Sequence, residues 1–120
     1  MNRRRERDDP RRGEVWSADL GDAAKRRPVI ILSRNDTDRP RRLSIYVPVT
    51  SQNCGSRYEV ELPRLPFLDA GSTANAQGIA SGESADEDLF IRKLGDLPPG
   101  ALTQVQEALR FAVGLDATST

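Results

Sequence analysis

The chain of 120 residues is predicted to fold as a mainly β domain: a small, curled antiparallel barrel with one helix packed across it. Three observations predict this. Five or six short runs of alternating or continuous apolar residues are separated by polar segments carrying Gly and Pro. One run, Val29-Ile30-Ile31-Leu32, has four apolar residues in succession, three of them β-branched, and reads as a central strand covered on both faces. Finally, a single segment with helical periodicity closes the chain.

The central strand begins Arg27-Pro28. The proline lacks an N–H and biases the residue before it toward extended backbone, which holds Arg27 at the lip of the sheet with limited freedom. Two readings of this arginine stand side by side. It is a fixed cation able to do chemistry, or it belongs to a solvated basic cluster with Lys25 and Arg26.

Residues 1–12 have no apolar side chain after Met1 and form an expected disordered basic arm, either a solubilising extension or one that brushes RNA or a partner through its six arginines. The folded domain is expected over residues 13–115, with a short tail at 116–120. From Gly13, alternation predicts a first strand with Trp16 in the core, followed by a short polar connection at residues 21–26. Residues 34–42 carry four arginines in a surface loop, which either grips a phosphodiester backbone or forms local Asp/Arg pairs. The next strand, Leu43 to Thr50, places Leu43, Ile45, Val47 and Val49 on one face, and its Pro48 marks an edge, a bulge or the strand's end. Thr50-Ser51-Gln52 leaves the sheet with three neutral hydrogen-bonding side chains.

The run around Tyr58, Val60 and Leu62 alternates as a half-exposed strand. Leu65, Phe67 and Leu68 are expected to tuck beneath the sheet, and residues 72–81 are read as one strand of small residues. The acidic residues of 83–88 form a turn or short helix, either solvated or offering hard oxygen ligands to Mg2+. A last strand spans Leu89 to Leu94. The helix follows, with Leu102, Val105, Leu109 and Val113 on one stripe, Pro99 in the first turn and Gly114 at the end.

Composition excludes several chemistries. There is no histidine, so imidazole acid–base pairs and nearly all catalytic zinc arrangements are out of reach. One cysteine, Cys54, allows neither an intrachain disulfide nor a multi-cysteine metal site, and no role is expected for it. No apolar run approaches the ~20 residues that span a bilayer, and a cytoplasmic location without membrane attachment is expected. Net charge is zero but unevenly placed: through Arg42 there are 13 Lys/Arg and 8 Asp/Glu, and beyond it 5 and 10. Such asymmetry permits a phosphate-binding face.

Taken in order, RGEVW, RRPVIILS, VPVTSQ, YEVEL, ANAQGI, RKLGDL and the closing ALTQVQEALRFAVGL resemble the MazF/PemK-type toxins of bacterial toxin–antitoxin systems across residues 12 to 115. The resemblance implies an SH3-like barrel that forms a homodimer, cleaves single-stranded RNA at short sequences without a metal or other cofactor, and is neutralised by a cognate antitoxin protein. It also implies that Arg27, just before the proline of the RPV strand, and Thr50, ending VPVT, are the catalytic pair. Arg26, Ser51, Gln52 and Gln77 are then the expected RNA contacts. The connection at residues 21–26 is shorter than the family's glycine-rich loop, and residues 81–88 are longer and more acidic than usual.

This chemistry suits an inventory without histidine. RNA supplies its own nucleophile, so the protein has only to align groups, assist proton movement and stabilise charge on phosphorus. Two other classes of function remain: an inactive barrel that binds RNA or protein, and the related barrel toxin that poisons DNA gyrase through its terminal helix. The Arg27/Thr50 placement argues against the latter.

Overall fold

Val29, Ile30 and Ile31 are wholly excluded from solvent, the burial expected of a strand with cover on both faces. They belong to a computed structural model that describes residues 4–21 and 26–116. Seven strands run β1 Glu14–Asp19, β2 Arg26–Ile31, β3 Leu43–Thr50, β4 Glu59–Glu61, β5 Thr73–Asn75, β6 Ala80–Glu83 and β7 Phe90–Asp96, followed by helix α1, Pro99–Ala112. All the pairings are antiparallel, in the order β4-β5-β3-β2-β1-β7, with β6 also on β3. Most of the connection between β1 and β2, residues 22–25, lies outside the described residues. The mainly antiparallel sheet with one C-terminal helix is as expected. A closed barrel is not: β4 and β7 end the ladder without pairing to each other.

Side chains alternate across β1, β2 and β3 and feed two cores. On one face Val15, Ile30, Leu32, Val47 and Val49 pack with Ala101 and Val105 of α1. On the other, Trp16, Ala18, Val29, Ile31, Tyr46 and Phe90 form a second cluster, with Tyr46 edge-on to Phe90 at 5.7 Å between ring centroids. Leu65, Phe67 and Leu68 pack against the first cluster, as the sequence implies. The helix ends as its glycine predicts: Gly114, at φ +75°, lets its own N–H and that of Leu115 reach the carbonyls of Phe111 and Arg110 at 3.1 and 2.7 Å.

Three expectations are corrected. Residues 72–81 are two strands, β5 and β6, separated by a 3-10 turn at Ala76–Gly78. Both pair with the same edge of β3, β6 along Leu43 to Tyr46 and β5 at Val49 and Thr50, and the turn crosses the gap beside Pro48. Gly78 is required there, because a Cβ would sit 2.8 Å from the Pro48 ring. The single apolar face expected for β3 also divides. Val47 and Val49 are buried, but Leu43 and Ile45 are 38% and 41% exposed, while Ser44 and Tyr46 are buried on the opposite face.

The third correction concerns the N-terminal arm, which from Arg4 onward is docked. The Arg4 guanidinium stands 4.8 Å from the Trp16 ring centroid and donates to the Phe90 carbonyl. Asp9, 7% exposed, accepts from Arg42 Nε at 2.8 Å, Arg42 Nη2 at 2.7 Å and Arg39 Nη2 at 2.8 Å. Arg12 donates to the Leu32 carbonyl and to Gln106 of α1. Two of the four arginines in the 34–42 loop are thus held by the arm rather than presented to a polyanion.

Candidate active site

The register of β2 against β3 pairs Ile30 with Val47 and Val29 with Pro48. Carried two residues beyond its last paired position, that register points Arg27 toward Thr50, and both residues line one cavity at that strand end. Alternation sends both side chains to one face. Arg27 shares its parity with Val29 and Ile31, and Thr50 shares its own with Tyr46, all on the side of the second cluster. The two therefore meet at one mouth of the sheet. Thr50 Oγ1 accepts the N–H of Gln52 at 3.2 Å, which fixes the hydroxyl oxygen and leaves its hydrogen out of that bond.

A cavity of about 580 Å³ opens at this mouth, within the range of small-molecule sites. Arg27, Thr50, Gln52 and Gln77 line it, together with Tyr58 and Asn75. A second cavity of about 370 Å³ shares Arg27 and Thr50 and adds Arg26, Ser51, Phe67 and Leu68. The six residues singled out in the sequence are thus gathered at one strand end, four of them around the first cavity. Arg26 and Ser51 lie apart from Gln52 and Gln77, with the Arg27/Thr50 pair between. The Phe67 ring, which lines the second cavity, packs closely on the bare backbone of Gly95, where a Cβ would stand 2.3 Å from Phe67 Cε2.

One wall of the first cavity was not legible in the sequence. Glu59 folds the loop before it: its carboxylate accepts from Cys54 N at 3.0 Å, Ser56 N at 3.1 Å and Ser56 Oγ at 2.7 Å. Asn53 Oδ1 takes the N–H of Gly55, at φ +75°, at 2.8 Å. Cys54, Ser56, Tyr58 and Glu59 all line the cavity as a result. Hydrogen bonds from the Cys54 and Ser56 N–H groups and the Ser56 hydroxyl hold the Glu59 carboxyl below its usual pKa. A depressed carboxylate pKa contributes order above the unfolded value and loses it as pH falls through the folded one. Amide exchange at Cys54 and Ser56 is therefore expected to accelerate selectively below the ordinary carboxylate range, and Glu59→Gln should produce that acceleration already at pH 7. Unchanged protection in both cases would exclude the carboxylate as the organiser of this wall.

The acidic turn at 83–88 is elsewhere. Glu83 pairs with Leu43 at the opposite end of β3 from Thr50, and Asp86 caps the N–H groups of Asp88 and Leu89 at 2.9 and 3.3 Å. Among the described residues no three His, Cys, Asp or Glu side chains are grouped to hold a metal ion. Nor, among them, is any helix long and apolar enough to cross a membrane.

Residues 11–113 match the family of PemK-like, MazF-like toxins of type II toxin–antitoxin systems, and the chain belongs to that family. A probable endoribonuclease MazF5 from Mycobacterium tuberculosis is 32% identical over 104 residues, covering 87% of this chain and 93% of that protein. Among solved structures, an endoribonuclease from a mycobacterial species in complex with its cognate antitoxin superposes with a TM-score of 0.74 at 26% identity, over 89% of this chain and 97% of the other. The MazE–MazF complex of Deinococcus radiodurans shares the fold, with a TM-score of 0.72 at 23% identity over 90% and 98% of the two chains.

Proposed function

We propose that the protein is the toxin of a type II toxin–antitoxin pair and acts as a metal-independent endoribonuclease on single-stranded RNA, with Arg27 and Thr50 as its catalytic residues. The observation that supports this reading is that Arg27 and Thr50 line one cavity of nucleotide dimensions at the end of β2 and β3. In the reaction the ribose 2'-oxygen bonds to phosphorus, the bond from phosphorus to the 5'-oxygen breaks, and the 2'-hydroxyl proton ends on that leaving oxygen. No water is consumed. The products are a 2',3'-cyclic phosphate and a 5'-hydroxyl.

Charge accumulates on the nonbridging oxygens as phosphorus becomes five-coordinate. Arg27 meets it with charge-assisted hydrogen bonds, and Thr50 donates its hydroxyl hydrogen, the one not engaged with Gln52. A guanidinium is a poor proton donor, so its contribution is electrostatic. Gln52 and Gln77 read base edges in the first cavity, and Arg26 and Ser51 hold the strand beyond the pair. The working form in this reading is a cytoplasmic homodimer neutralised by a cognate antitoxin; the mycobacterial endoribonuclease solved in complex with its cognate antitoxin supports the last of these.

The test is incubation of purified protein with single-stranded RNA in excess EDTA, with the ends identified chemically. Cleavage leaving cyclic phosphate and 5'-hydroxyl is expected. Cleavage abolished by EDTA, or leaving 5'-phosphate ends, would sink the mechanism.

A further inference from the structure

The Arg27/Thr50 pair borders two cavities, and backbone alternation places their other walls on opposite faces of the sheet. Tyr46, Pro48 and Thr50 share the parity of the face that carries the second cluster, and Pro48 lines the first cavity. Pro28 and Val49 have the opposite parity; Val49 belongs to the first cluster, and both line the second cavity. One pair of polar groups therefore stands where two openings meet around the end of β2 and β3.

We infer that the second cavity is a nucleoside-binding subsite, taking the residue of the RNA on the far side of the link being cut, so that the strand bends around the sheet's end. This rests on the cleavage reading above, which gives the strand's backbone to Arg26 and Ser51, and assigns a base to the apolar wall beside them. The volume of about 370 Å³ accommodates one base and its ribose. Phe67, Leu68 and Ala70 offer an apolar wall suited to the face of an unstacked base, while Ser51 and Arg26 stand where the sugar and phosphate leave. Asp69, exposed on the same rim, repels a phosphate. The base enters, and its phosphate stays with the two arginines.

The experiment uses RNA whose cut position has been mapped, made uncleavable by a 2'-deoxy substitution at that position and carrying 4-thiouridine immediately on one side or the other. Irradiation with wild-type protein, followed by peptide mapping, should join one probe to residues 67–72 and the other to Tyr58 or its neighbours. Both probes linking only to the first cavity would overturn the inference. Independently, Ala70→Trp fills the second cavity from an exposed position and should lower kcat/KM about ten-fold, the scale of one lost base stack. An unchanged kcat/KM in a variant of normal melting temperature would also count against it. Failure to cut any ribose-containing RNA at the mapping step would overturn the cleavage reading, whereas a mapped cut with both probes on the first cavity overturns the subsite alone.

Discussion

Arg27→Ala is expected to lower kcat/KM for RNA cleavage by about 10³-fold, because a guanidinium aimed at developing phosphoryl charge in a partly desolvated mouth is among the strongest single contributions available. Thr50→Ala, which removes one neutral donor, should cost about 10²-fold. Arg27→Lys keeps the charge but loses the planar fork, so it should recover only part of the arginine's effect. Since both groups act on one transition state, the double variant should fall well short of the product of the two losses. Circular dichroism and melting temperature serve as controls, because both residues are at the sheet's end rather than in either core. Activity of Arg27→Ala within a few-fold of wild type would remove the arginine from the mechanism.

The second large effect is on stability. Asp9→Ala leaves Arg39 and Arg42 facing one another without the carboxylate that both of them bind at 2.7–2.8 Å. Breaking a fully buried pair costs ~3–5 kcal/mol. Here the carboxylate is buried but the guanidiniums keep 20% and 27% of their exposure, so solvent screening reduces the expected loss to about 2–3 kcal/mol. That corresponds to a fall in melting temperature of about 10 °C. Urea unfolding of Asp9→Ala, Arg42→Ala and the pair measures the coupling directly, and a coupling below ~0.5 kcal/mol would show the arm to be incidental.

That arm also shows where reading a sequence by composition fails. Residues 4–12 have no aliphatic surface to bury, and a rule that weighs only apolar area against chain entropy leaves them loose. Their cations instead find an indole face, backbone carbonyls and, through Asp9, the arginines of a distant loop. None of these partners is adjacent in sequence. The covered strand was legible because Val29, Ile30 and Ile31 declare burial on both faces by themselves, and α1 because its period, Pro99 and Gly114 agree. The break within residues 72–81 was not, since it answers to Pro48 on another strand. Of the site, the Arg27/Thr50 pairing is implied by family resemblance, and the structure lines the same two cavities with both residues. The Glu59 wall was illegible because a carboxylate that folds its own loop looks, in the sequence, like an outward-facing strand residue.

Gly95 reaches further than its place in β7 suggests. The aromatic floor of the second cavity rests on a position with no side chain, so even a methyl group there would lift Phe67 and reshape the opening beside Arg27. If the proposed subsite holds, substrate preference on that side can be retuned from β7, by a residue outside the cavity lining.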